Sequence, residues 1–165
     1  MHITIYTDGS SLGNPGPGGY GTILIADRHR RELSQGYRMT TNNRMELMAV
    51  IVGLEALKIP NSTVTVYTDS QYVVFSVEKK WVFGWEKKNF AGKKNADLWR
   101  RFLKTYRCHK VTFKWLKGHS GNPENERCDQ LADAAARRSE QLEDVGYVDM
   151  VAGISTQSSL LESFY

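Results

Sequence analysis

The chain has 165 residues, 41% of them apolar and 24% charged, with 22 Lys and Arg against 18 Asp and Glu for a net charge of +4. That balance fits one globular domain able to bury a core and excludes intrinsic disorder, collagen and coiled coil for the chain as a whole. No apolar run approaches the ~20 residues needed to span a bilayer, so no membrane partner is expected, and Asp8 interrupts any secretory apolar segment. With Cys108 and Cys128 as its only cysteines the chain has no disulfide framework, and a reducing, cytoplasmic setting is expected.

In chain order, His2 to Thr7 alternates branched and aromatic residues and predicts a strand. Gly13 to Gly19 reads as a compact Gly-Pro loop. Tyr20 to Ile25 and Glu32 to Thr40 predict two further strands around a turn at Asp27 to Arg31, completing an antiparallel meander. Asn42 or Asn43 is expected to cap a helix whose apolar positions include Met45, Met48, Ala49, Val52, Ala56 and Leu57. Val64 to Thr68 predicts a strand, and Asp69 or Ser70 a cap for a short helix through Val77. A second short helix holds Trp81 and Trp85, followed by a polar basic loop from Lys87 to Lys94. Helices are predicted over Ala96 to Tyr106 and Pro123 to Ser139, with a last strand at Val111 to Leu116 between them. Residues 146 to 165 show no clear periodicity and are expected to be loose, which places the domain at 1–147 and a tail at 148–165. A meander followed by helix-strand units argues for an α/β fold with a mixed five-stranded sheet.

Charge is polarised along the chain. Between Lys79 and Lys117 there are thirteen Lys and Arg against Glu86 and Asp97, a net of +11; from Glu140 onward there are five acids and no Lys or Arg. A basic stretch that also carries Trp81, Trp85 and Phe90 can meet phosphates with its lysines and stack rings on sugars or bases, so a nucleic-acid partner is expected.

The acids carry the candidate chemistry. Ile5-Tyr6-Thr7-Asp8 and Val66-Tyr67-Thr68-Asp69 echo each other, each a strand ending in Thr-Asp before a small polar residue. If the two strands are parallel neighbours, Asp8 and Asp69 meet at their carboxyl ends, where open α/β sheets collect ligands, and their repulsion calls for a cation. Glu46 near the start of its helix and Asp129 at the start of the last one are further candidates, with Asp133 one turn beyond competing with Asp129. Oxygen donors without a Cys or His cluster suit Mg²⁺ or Mn²⁺ rather than zinc; two such ions can drive phosphodiester hydrolysis. His119, on the Gly-flanked loop before the Asp129 helix, is placed to move a proton or aid product release.

Six runs then stand together: Tyr-Thr-Asp-Gly-Ser (6–10), Gly-Asn-Pro-Gly-Pro-Gly-Gly-Tyr-Gly (13–21), Thr-Thr-Asn-Asn-Arg-Met-Glu-Leu-Met-Ala (40–49), Thr-Asp-Ser-Gln-Tyr-Val (68–73), Trp-Leu-Lys-Gly-His-Ser-Gly (115–121) and Pro-Glu-Asn-Glu-Arg-Cys-Asp (123–129). In this order they closely resemble the bacterial type 1 ribonucleases H (ribonuclease HI) over residues 1 to 147. The resemblance implies a ribonuclease H-like sheet of three antiparallel and two parallel strands. It also implies endonucleolytic cleavage of the RNA strand of RNA–DNA hybrids to 5′-phosphate and 3′-hydroxyl ends. By position, Asp8, Glu46, Asp69 and Asp129 resemble the family's metal-binding catalytic carboxylates, with two Mg²⁺ (or Mn²⁺) ions, and His119 its turnover histidine. Asn14, Asn42, Asn43 and Gln71 match positions that read 2′-hydroxyls in the minor groove; amides suit this because they donate and accept. Tyr72, Trp81 and Trp85 match the groove along the DNA sugars, and Thr41 and Asn95 the DNA-phosphate pocket. Met39 stands where members often carry Arg, and the basic loop after Trp85 is short. A monomer is expected. Two other readings are a hybrid-binding module without cleavage and a nuclease of the same fold acting on DNA; the intact set of carboxylates opposes the first, and Asn42-Asn43 with the tryptophan-bearing basic segment opposes the second.

Overall fold

The computed structural model describes residues 2–162, and side chains through Gly153. Eleven elements follow in order: β1 (His2–Ser11), β2 (Gly16–Ala26), β3 (His29–Thr40), α1 (Asn42–Glu55), β4 (Thr63–Thr68), α2 (Gln71–Glu78), α3 (Trp81–Lys87), α4 (Ala96–Tyr106), β5 (Lys110–Trp115), α5 (Pro123–Ala136) and α6 (Val145–Glu162). The sheet order is β3-β2-β1-β4-β5. β1 pairs antiparallel with β2, as β2 does with β3, while β1-β4 and β4-β5 are parallel. This is the expected mixed sheet of three antiparallel and two parallel strands.

Helices cover both faces. Thr22 donates its hydroxyl to Ala49 O of α1 at 2.7 Å, whereas its neighbour Gly21 lies against the α5 backbone at Cys128; adjacent strand residues point to opposite faces, so α1 and α5 sandwich the sheet. α1 lies between the sheet and α4, buries ten of its residues, and is accordingly apolar on nearly every side. α4 adds Leu98, Trp99, Phe102 and Leu103 along one buried face.

Three expectations need correcting. The glycines of the 13–19 run are not all loop: β2 begins at Gly16, and a Cβ on Gly19 would sit 2.6 Å from Ala132 O. Gly19 lets α5 approach the sheet backbone. The cap of α1 is Thr41, whose hydroxyl accepts Arg44 N–H at 3.3 Å, rather than Asn42 or Asn43. Residues 146–162 are not irregular but belong to the helix α6. Its described part exposes Val145, Val148 and Val151 and meets little besides β3, so no packed face imposed an apolar stripe on the sequence. Among the described residues no helix is long and apolar enough to cross a membrane.

Candidate active site

The Thr-Asp echo becomes geometry through the register of β1 and β4. Their parallel pairing ends at Tyr6 opposite Tyr67, but β1 continues, bonded only to β2, through Ser11. Asp8 therefore stands just where its parallel neighbour stops, and Asp69 follows the last residue of β4 by one. Gly9 faces the start of α1, where any side chain would collide with the backbone of Met45 and Glu46. That close approach brings Glu46 to the aspartates. Carboxylate oxygens of Asp8, Glu46 and Asp69 lie within 4.8 Å of one another.

Asp129 sits half-buried on α5, outside this group of three, but its charge bears on both Asp8 and Asp69. Asp133 plays no part in the cluster and pairs with Arg137 at 3.0 Å instead. His119 is exposed on the β5–α5 loop, with φ 56°, and its charge opposes the upward shift of Asp69. A Cβ on its neighbour Gly118 would lie 2.9 Å from Asp69 Oδ2, so a glycine there keeps the loop close to the acids.

Without a cation the cluster holds protons. Burial, then the Asp69 charge, pushes Asp8 up to about 8. Burial, then Asp8 and Asp69, raises Glu46 well above the carboxylate range; burial leads the rise of Asp69 as well. Glu46 is 5% exposed and its Oε2 is buried without a hydrogen-bond partner. A buried carboxylate oxygen with nothing to accept from, beside two more carboxylates, fits a hard divalent cation better than it fits a structural role.

The expected substrate residues fall into separate groups on the surface. Asn14 Oδ1 accepts Asn42 N–H at 3.1 Å, joining the β1–β2 loop to the exposed start of α1, where Asn43 follows. Gln71 is exposed on the first turn of α2. Tyr72 accepts hydrogen bonds from Asn95 Nδ2 (3.1 Å) and Trp99 Nε1 (2.8 Å). Trp81 and Trp85 line a separate surface hollow with Lys80, Lys88 and Lys93, Lys93 Nζ standing 5.0 Å from the Trp85 ring. Aromatics and cations are thus interleaved in space as they are in sequence. Thr41 and Asn95 share a cleft with Asn14 and Asn43.

The sequence reading missed Arg44, which is 1% exposed. Its guanidinium donates to Asp144 (2.8 and 2.9 Å), to Asp97 (2.9 and 2.8 Å) and to Asn95 Oδ1 (3.3 Å). An Arg on the apolar helix face, one turn from the N-cap, was the available signal.

A sheet of this order with acids gathered where β1 outruns β4 defines a ribonuclease H-like enzyme fold. The family model of RNase H matches residues 1–137. The chain belongs to the ribonuclease H family and is an endonuclease of that hydrolase class. It is 57% identical over 141 residues to a Ribonuclease H of Desulforamulus reducens, covering 82% of this chain and 88% of the relative. It is 52% identical over 151 residues to that of Aeromonas salmonicida, covering 88% and 97%. The crystal structure of LC9-RNase H1, a type 1 RNase H with the type 2 active-site motif, superposes with a TM-score of 0.75 at 33% identity, over 96% of this chain and 84% of that one. LC11-RNase H1 in complex with RNA/DNA hybrid gives 0.62 at 27% identity, over 81% and 96%.

Proposed function

We propose that the protein hydrolyses the RNA strand of RNA–DNA hybrids, leaving 5′-phosphate and 3′-hydroxyl ends, with Asp8, Glu46, Asp69 and Asp129 holding a pair of Mg²⁺ ions. The observation that carries this reading is the gathering of Asp8 and Asp69 beside Glu46, whose Oε2 is buried and unpartnered, in a chain of this family. Bound there, Mg²⁺ supplies positive charge against the scissile phosphate and eases loss of a proton from the attacking water. The carboxylates fix where that charge sits. Asn14, Asn42, Asn43 and Gln71 read the 2′-hydroxyls of the RNA strand, while Thr41, Tyr72, Trp81, Trp85 and Asn95 hold the DNA strand. His119, exposed on its glycine-flanked loop, accepts or returns a proton near Asp69 and speeds product release. The protein acts as a soluble monomer in the cytoplasm.

The test is a cleavage assay on labelled hybrid, duplex DNA and duplex RNA, each with Mg²⁺, Mn²⁺ or chelator. Only the RNA of the hybrid is cut, and only with metal. Asp8→Asn abolishes cleavage while hybrid binding persists. Cutting in chelator, or by Asp8→Asn, removes the proposed role of the cluster. Tight hybrid binding by the wild type with no product in Mg²⁺ would favour the binding-module alternative.

A further inference from the structure

We propose that the first two turns of α6 form a wall of the nucleic-acid cleft and pack against the sugar–phosphate backbone of the hybrid's DNA strand, making the C-terminal helix a substrate-contacting element. This rests on the hybrid reading above and assigns the helix a place in it. A cleft of about 320 Å³ lies beside the start of α1. One side presents Thr41, Lys94 and Asn95, and the other Tyr147, Met150 and Val151 of α6. Asn95 Oδ1 is held by Arg44 and its amide nitrogen by Tyr72, so a second N–H remains to donate. With the Lys94 ammonium and the Thr41 hydroxyl it offers an anion three donors. The facing wall is largely apolar and suits the flat face of a sugar without a 2′-hydroxyl.

Two observations argue for a fixed wall rather than a cover. Asp144, which precedes α6, is 4% exposed. It accepts from Thr40 Oγ1 at 2.7 Å, from Arg44 twice, and from Tyr147 N–H at 3.3 Å. Gly146 passes so near Arg44 that a Cβ would lie 2.7 Å from Nη2. The helix is therefore pinned at its first turn. Second, Tyr147, Met150 and Val151 are spaced i, i+3, i+4 and share one face, while Asp149 falls on the opposite side and is exposed. The helix turns its neutral face to the cleft and its acid away, the arrangement a polyanion requires.

Steady-state cleavage of a hybrid at fixed salt tests this with three variants at exposed valines, positions whose change spares the core. Val151→Asp raises KM about fivefold, the size of one close like-charge contact near a surface, with kcat unchanged. Val151→Lys lowers KM. Val148→Asp adds the same charge off the cleft face and stays within about twofold of wild type because salt screens it. Met150→Asn, which offers an amide to a 2′-hydroxyl, narrows the gap in Kd between hybrid and duplex RNA; an unchanged gap overturns the assignment to the DNA strand. Equal effects of the two aspartates, no effect of either, or faster turnover by Val151→Asp each overturn the wall. If the wild type cuts no hybrid, the proposed function fails instead; hybrid binding in chelator, read by fluorescence anisotropy across the same variants, then still decides whether α6 touches nucleic acid.

Discussion

Asp8 shows how a single side chain sets site chemistry against stability. Its carboxyl shifts from 3.8 up to about 8, led by burial, so between those values the folded state binds more protons than the unfolded one. Stability then falls as pH rises through that window, and is regained below it. Asp8→Asn removes a carboxyl that the folded state must keep protonated at a pH where the unfolded chain ionises it. In chelator at pH 7 the variant is more stable than wild type by about 1–3 kcal/mol, a few degrees in Tm, and the advantage vanishes below about pH 4. Mg²⁺ raises the Tm of the wild type and not of the variant. Thermal unfolding at the two pH values, with and without metal, measures this; a variant no more stable at pH 7 without metal contradicts the burial argument.

At the scale of elements, the site depends on how closely α1 sits on β1. Gly9 allows that approach, and a methyl group there meets the backbone of Met45 and Glu46. Gly9→Ala is expected to cost about 1–3 kcal/mol through overpacking and to weaken metal binding by moving Glu46. A denaturant midpoint and a Mg²⁺ titration check both, and an unchanged midpoint refutes the close contact. This contact was only half legible in the sequence. The twin Tyr-Thr-Asp strands announced themselves because short alternating strands carry their pattern locally, and α4 did so because its one buried face gave a clean stripe. Gly19 looked like a turn residue, since a glycine does not say whether it serves a backbone angle or a neighbour's approach. Thr41 lost to Asn42 and Asn43 as the expected cap because Thr and Asn both cap well. α6 left no pattern because so little of its described part packs.

Over the whole molecule, Arg44 ties together segments far apart in sequence: Asp97 lies 53 residues away and Asp144 100 residues away. No local pattern encodes such pairs, which is why the network escaped the sequence reading. Arg44→Met leaves Asp144 buried without its partner and is expected to cost about 3–5 kcal/mol. Urea unfolding measures it, and a loss under about 1 kcal/mol would show the network to be dispensable. The same dispersal governs the acids, which come from β1, the start of α1, the end of β4, and α5. No contiguous piece of the polypeptide holds the quartet, and the last member arrives only at residue 129. On the proposed reading, a growing chain on the ribosome would thus stay unable to cut a hybrid until the segment carrying Asp129 has emerged and folded onto the sheet.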